Sequence, residues 1–209
     1  KWFKLQYYIR DADHKGFPSL LTFGGAYSNH IAATAYAAKE HGFKAIGIIR
    51  GEEPQQWSHT LQEAVTHGMQ LVFLSGNEYS AVKRNTSSEK FRKQFGKVDI
   101  IPEGGYGPLG AQGAADILRT ADVESYTHIV SAIGTGTTVA GILLATRSHQ
   151  QVIGISSMKN NFSLKDEIQC LIDKPLPAGF RLIHDYHFGG FAKYAPELIT
   201  FMNTFYHTS

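Results

Sequence analysis

Apolar residues along this chain follow two rhythms. Runs that are nearly continuous in β-branched and other apolar residues, such as "KAIGIIRG", "THIVSAIG" and "QVIGIS", alternate with stretches where apolar residues recur every three or four positions, such as "HTLQEAVTHG" and "GAQGAADILRT". The first rhythm predicts strands covered on both faces and the second predicts helices, with a glycine at the C-terminal cap of "HTLQEAVTHG". Strands are expected near 19–24, 44–50, 70–74, 98–102, 127–133, 151–157 and 181–185, with helices between them. Strict alternation of this kind predicts an α/β protein with largely parallel sheet. Two segments break the rhythm: residues 75–97, charged and expected as a helical excursion on the surface, and "DKPLPAGF", residues 173–180, a proline-rich connection. There is no repeat, low-complexity tract or linker, so a division into domains must come from chain crossing.

Composition narrows the class. The 209 residues are 43% hydrophobic, enough to bury a core in one large or two small domains. A net charge of +2 arises from mixed signs without a long basic or acidic block, which argues against a nucleic-acid arm or a membrane-surface helix. No apolar run approaches the roughly 18 residues needed to span a bilayer. One cysteine, Cys170, excludes an internal disulfide framework and fits a reducing compartment, with the cytoplasm as the expected place. Lys1 in place of an initiator methionine, and a final helical pattern "PELITFMNTFYHTS", predict a chain cut at both ends.

Chemistry gathers where strands run into glycine. In "VSAIGTGTTVAGILLATR" an apolar strand leads into Gly134, Thr135, Gly136, Thr137 and Thr138 and then into an alanine-rich helix. Glycines let backbone approach an oxyanion, the hydroxyls add donors, and a helix N-terminus favours a phosphate; a plain glycine turn is the competing reading. The next strand ends in serines and a lysine where an NAD ribose would require an acid, and there is no Gly-Lys-Ser/Thr, so a small phosphorylated cofactor fits better than a dinucleotide or nucleoside triphosphate. "LLTFGGAYSNH" is a similar junction, presenting Ser28, Asn29 and His30 at the carboxyl edge of the sheet; the competing role for Ser28 is a helix N-cap. "IPEGGYGPLGAQG" brings a third glycine run after a fourth strand. His184 and His187 are expected on a strand and its following loop, and ten histidines yield no metal set.

Together "KWFKL", "FGGAYSNH", "IPEGGYGPLG" and "GTGTTVAG" resemble the 1-aminocyclopropane-1-carboxylate deaminase and D-cysteine desulfhydrase family, part of the tryptophan-synthase-β-like, fold type II pyridoxal-phosphate enzymes. The resemblance implies that Lys1 matches the Schiff-base lysine and Lys4 a nearby basic residue of the cofactor site. It implies that Ser28 contacts the substrate and assists proton movement, while Asn29 bonds the cofactor ring. His30, which stands where deaminases usually carry glutamine, is placed with them beside the substrate. Thr135, Gly136, Thr137 and Thr138 match the phosphate loop. A further aromatic near the substrate falls at Phe191 or Tyr194, with Tyr194 the candidate. The implied fold is two open, mostly parallel twisted sheets covered by helices, with the cofactor cleft between a smaller domain (15–103) and a larger one (1–14 and 104–209). The implied activity is a pyridoxal 5'-phosphate-dependent lyase or deaminase of a small amino acid, working as a homodimer. Alternatives left open are a non-catalytic paralogue that keeps the fold and an NADP-type oxidoreductase built on "GTGTT".

Overall fold

The computed structural model describes residues 1–84, 88–189 and 193–208. In chain order the elements are α1 (Trp2–His14), β1 (Ser19–Gly25), α2 (Asn29–Glu40), β2 (Lys44–Arg50), α3 (His59–Thr66), β3 (Met69–Leu74), α4 (Gly76–Arg84), α5 (Ser88–Phe95) and β4 (Val98–Ile101). They continue with a 3-10 turn at Glu103–Gly105, α6 (Pro108–Thr120), β5 (His128–Ile133), α7 (Thr137–Ala145), β6 (Gln151–Ser156), α8 (Leu164–Gln169), β7 (Phe180–Ile183) and α9 (Pro196–Thr208). All seven expected strands are present, and every strand pair is parallel. The chain divides into two compact units, Lys1–Gly113 and Ala114–Ser209.

In the first unit the strand order is β3-β2-β1-β4. The chain walks outward from β1 to β3 and then returns to the other side of β1, which makes the β1/β4 gap a topological switch point. Apolar side chains on both faces of β1 and β2 account for that central position: five consecutive residues of β2 are buried. One face is covered by α1, α2 and α3, where Leu5, Ile9, Leu20, Ile31, Ala35 and Leu61 pack together. Gly68, at φ +84°, sits just past the end of α3, as the sequence predicts, and donates its N–H to the Val65 carbonyl at 2.8 Å.

The 75–97 segment departs from its expectation. Instead of a surface excursion it supplies two amphipathic helices, α4 and α5, that close the other face of the sheet. Tyr79, Val82 and Phe91 are buried there, with the Phe23 ring edge-on to Tyr79 at 6.1 Å and to Phe91 at 5.8 Å. Charge dominates the composition because only one stripe of each helix is apolar. Residues 85–87 lie outside the described residues.

In the second unit the order is β5-β6-β7. β5 also departs from the expectation of burial on both faces. It is an edge strand and alternates, leaving His128, Val130 and Ala132 exposed. β7 ends at Ile183, so His184 lies just beyond the strand and His187 in the following loop. No helix among the described residues is long and apolar enough to cross a membrane.

Candidate active site

The switch point of the first unit is where the polar residues of the opening glycine junction collect. β1 ends in Gly24-Gly25, and the chain turns through Ala26 and Tyr27 into Ser28, the N-cap of α2. A β-carbon on Gly24 would stand 2.6 Å from Ile31 Cγ1 and 2.8 Å from Ser28 Oγ, so only glycine lets α2 begin this close to the strand. Ser28 Oγ accepts the Ile31 N–H at 3.4 Å, a long capping bond that leaves the hydroxyl's own proton available. Asn29 is exposed and His30 fully buried, so three consecutive polar residues point to three different surroundings.

The turn is held from outside by a residue that sequence reading missed. Ser58, the N-cap of α3, accepts the Leu61 N–H at 3.3 Å and donates its hydroxyl to the Ala26 carbonyl. Its signal was a serine placed one residue before an amphipathic helix, which marks a cap but not its second bond. Thr22 was also missed, although a lone hydroxyl inside "LLTFGG" is a visible signal. Its Oγ1 donates to the Ile101 carbonyl of β4 at 2.8 Å and lies 2.8 Å from His30 Nε2.

Helix α1 brings the lysines. Lys1 is its N-cap and is exposed, whereas Lys4 is only 6% exposed. Burial, and then the Lys1 charge, push the Lys4 amine down to about 7. Helix α1 rests on the third glycine run, which is more than a turn. Gly105 faces Lys4 Cβ and His30 Cε1, which would lie 3.5 and 3.8 Å from a β-carbon there. A β-carbon on Gly107 would meet Tyr8 Oη at 2.5 Å, and Tyr8 donates to the Tyr106 carbonyl at 2.8 Å. Gly113 lies directly against the Phe3 carbonyl. Lys4, His30 and the 103–105 turn thus form one corner at the carboxyl edge of the sheet.

The second unit carries the other predicted site by itself. Gly136, at φ +80°, is the N-cap of α7, and its carbonyl accepts the Ala140 N–H at 2.9 Å. The N–H groups of Thr137, Thr138 and Val139 therefore have no carbonyl one turn earlier in the helix to bond. Thr137 is fully buried, with its Oγ1 3.1 Å from Thr135 Oγ1. A β-carbon on Gly136 would come within 2.8 Å of Ile168 Cγ1. Ser157, from the end of β6, donates its hydroxyl to the Ile133 carbonyl at 3.3 Å and ties the loop's start in place. Tyr194 is 79% exposed, just ahead of α9, and Phe191 lies outside the described residues.

No protein-family model matches the chain. Among curated proteins, it is 31% identical over 206 residues, 90% of its own length, to a Thermotoga maritima protein provisionally named 1-aminocyclopropane-1-carboxylate deaminase, and covers 66% of that protein. Among solved structures, it matches a crystal structure of an ACC deaminase homologue with a TM-score of 0.76 and 26% identity, covering 91% of this chain and 62% of that one. The chain belongs to the 1-aminocyclopropane-1-carboxylate deaminase and D-cysteine desulfhydrase family. A bifunctional D-cysteine desulfhydrase/1-aminocyclopropane-1-carboxylate deaminase of Arabidopsis thaliana is 29% identical over 161 residues, 68% of this chain and 40% of that protein. The chain thus spans 66% of the length of the Thermotoga protein, 62% of the solved homologue and 40% of the Arabidopsis enzyme. A threonine deaminase at 20% identity and a TM-score of 0.57 shares the fold.

Proposed function

We propose that this chain is the greater part of a pyridoxal 5'-phosphate-dependent lyase or deaminase of a small amino acid, of the D-cysteine desulfhydrase or 1-aminocyclopropane-1-carboxylate deaminase kind. The observation that carries the reading is the buried Lys4 amine, with Lys1 as its first charged neighbour, beside the carboxyl edge of a parallel sheet at its switch point. Two features of the chain fit the cofactor. The α7 start offers a glycine cradle, free helix N–H groups and two paired hydroxyls suited to a phosphate. The lysine pair offers an amine for the carbonyl carbon and a second cation for the phosphate.

When bound, the cofactor supplies an electron sink for the pair left on the substrate α-carbon. The chain's own residues do the rest. Lys1 would hold the cofactor covalently, and its amine would carry a proton to or from the substrate carbon. The N–H groups at the start of α2 orient the substrate carboxylate, helped by the helix dipole. Ser28 Oγ, its proton not committed to the cap, assists proton transfer, and Asn29 bonds the ring. Lys4, Thr135, Gly136, Thr137 and Thr138 hold the phosphate. In this reading residues 15–103 act as the smaller domain and residues 1–14 with 104–209 as the larger, in a homodimer of the cytoplasm.

The test is borohydride trapping in the presence of pyridoxal phosphate, followed by peptide mass mapping. The pyridoxyl group is expected on Lys1 and is lost in Lys1→Ala; a label elsewhere, or none, overturns the reading. Parallel assays decide the substrate. D-cysteine should give pyruvate, ammonia and sulfide, and the cyclopropane acid 2-oxobutanoate and ammonia.

A further inference from the structure

Lys1 and Lys4 stand one turn apart at the start of α1, and the turn between them is closed: the Lys1 carbonyl accepts the N–H groups of Lys4 at 3.0 Å and of Leu5 at 3.2 Å. Residues three apart on a helix share a face, so the two side chains meet, and the Lys1 side chain is hydrogen-bonded to the Lys4 amine. The foot of the Lys4 side chain is fenced in. It belongs to a residue 6% exposed; a β-carbon on Gly105 would lie 3.5 Å from its Cβ, and one on Gly113 would lie 3.3 Å from its Cα.

The surroundings disfavour a second proton on the pair. The N-terminal end of a helix is the positive end of its dipole, and the first turn of α1 contains no acid. No carboxylate forms an ion pair with Lys4 among the described residues. Burial and then Glu103, the acid of the 103–105 turn, raise the Tyr79 hydroxyl of α4; Glu103 does not act on Lys4. The α-amino group of Lys1 is a further cation beside the pair, itself lowered by burial first and then by the two side chains. From α2 the His30 ring faces the same corner, and burial, then the Lys1 and Lys4 charges, hold it at about 3, so it is neutral. Burial, the Lys1 charge and the Lys1 hydrogen bond bring the Lys4 amine down to about 7. Around neutral pH one proton is therefore held where two could sit. An ammonium on Lys1 donates, and the lone pair of a neutral Lys4 accepts.

We propose that Lys4 is the proton acceptor for Lys1: it takes the proton that the Lys1 ammonium must lose before its lone pair can add to an aldehyde. The step balances within the pair. An N–H bond of Lys1 breaks and one forms on Lys4, the freed pair makes the C–N bond, and the carbonyl oxygen leaves as water. One proton of that water comes across from the Lys1 nitrogen and one is returned by Lys4. Lys4 ends neutral, and the C=N nitrogen keeps the positive charge with which Lys1 began. A buried amine suits the task because it is neutral at a pH where an ordinary lysine is charged, and so serves as a base there.

The proposal rests on the enzymatic reading only in naming Lys1 as the residue that takes up a carbonyl. Its test therefore uses a plain aldehyde, propanal, without pyridoxal phosphate. Cyanoborohydride reduces the product, and peptide fragmentation reads alkylation at the Lys1 side chain. Each rate is divided by that of the exposed Lys39 in the same sample, which cancels the pH dependence of the reduction. Absent pyridoxyl trapping with this result intact would sink the enzymatic reading alone.

At pH 8 the ratio is expected to fall at least about tenfold in Lys4→Met, less than a proton-transfer group contributes in a closed site because water competes as base at an exposed amine. At pH 6, where Lys4 already holds a proton and accepts no other, the two proteins should differ little. Lys4→Arg keeps a charge and removes the base, so it should fall with Lys4→Met. An unchanged ratio in Lys4→Met, or a ratio at or above wild type in Lys4→Arg, overturns the proposal, the second because charge alone would then account for Lys1. Should either variant fail to fold, Lys1→Met decides from the other side. With the Lys1 charge and hydrogen bond gone, the midpoint of Lys4 acylation against pH must move upward from about 7. A midpoint that stays in place would show that the two amines do not meet, and the proposal would fail.

Discussion

Gly113 of α6 lies face to face with the Phe3 carbonyl of α1, so close that a β-carbon would overlap the oxygen and stand 2.9 Å from the carbonyl carbon and 3.3 Å from Lys4 Cα. The two helices touch backbone to backbone at the turn that carries both lysines. Gly113→Ala must push α1 aside, at a cost of about 1–3 kcal/mol for overpacking. The displacement should also reach the cofactor. Urea unfolding and pyridoxal phosphate titration are expected to show both losses, and a variant that loses stability yet binds with wild-type affinity would show that the contact does not position the lysines.

Gly136→Val tests the phosphate cradle. A β-branched residue at φ +80° is strained, and its β-carbon would press on Ile168. Cofactor affinity should fall about 30-fold or more, the scale of one charge-assisted bond. Equilibrium dialysis of the cofactor is the measurement, and full retention would leave the loop as a turn only.

Ser28→Ala separates a cap from a reacting group. The capping bond at 3.4 Å is long, so its loss should cost at most about 1 kcal/mol. Turnover should fall about 10²–10⁴-fold if the hydroxyl moves a proton, with pyridoxyl labelling of Lys1 intact. Activity preserved alongside a small loss of stability would assign the serine to the helix alone.

Lys4 gives stability a pH dependence. Its amine is lowered from 10.5 to about 7 in the folded chain, so between those values the unfolded chain holds a proton that the folded chain has released. Stability through this group therefore rises from near pH 7 toward pH 10, while below pH 7 both states are protonated and the slope vanishes. Lys4→Met, neutral throughout, should be more stable than wild type at pH 7, with the difference shrinking by pH 10. Urea midpoints of the two proteins across that range measure it, and a constant difference would contradict the lowered amine.

Much of this was legible in the sequence. The seven strands announce themselves because parallel strands covered by helices are written as unbroken apolar runs, and "GTGTT" and "YSNH" stand out because polar and glycine residues interrupt such runs at their ends. The role of α4 and α5 was not legible: a helix whose buried residues, among those described, are Tyr79 and Val82, or Phe91, reads as charged when averaged along its length. Nor was the division of labour among Ser28, Asn29 and His30. Adjacent letters diverge because each step along a helix start rotates the side chain by about 100°, sending one to the cap, one to solvent and one into the core. Gly113 showed only as a small residue in an alanine-rich helix, since close packing depends on a partner more than a hundred residues away.

The hydrogen bond from Thr22 to Ile101 joins residues 79 positions apart, and β4 pairs with β1 only after β2, β3 and the helices α2 to α5 have been laid down. Closing so long a loop is among the slower steps available to a folding chain. The crevice at β1 and β4, and the ring that Thr22 holds beside it, are therefore completed late. On the ribosome, a nascent chain that has emerged only through α3 has made Ser28, Asn29 and both lysines, yet has no corner to put them in.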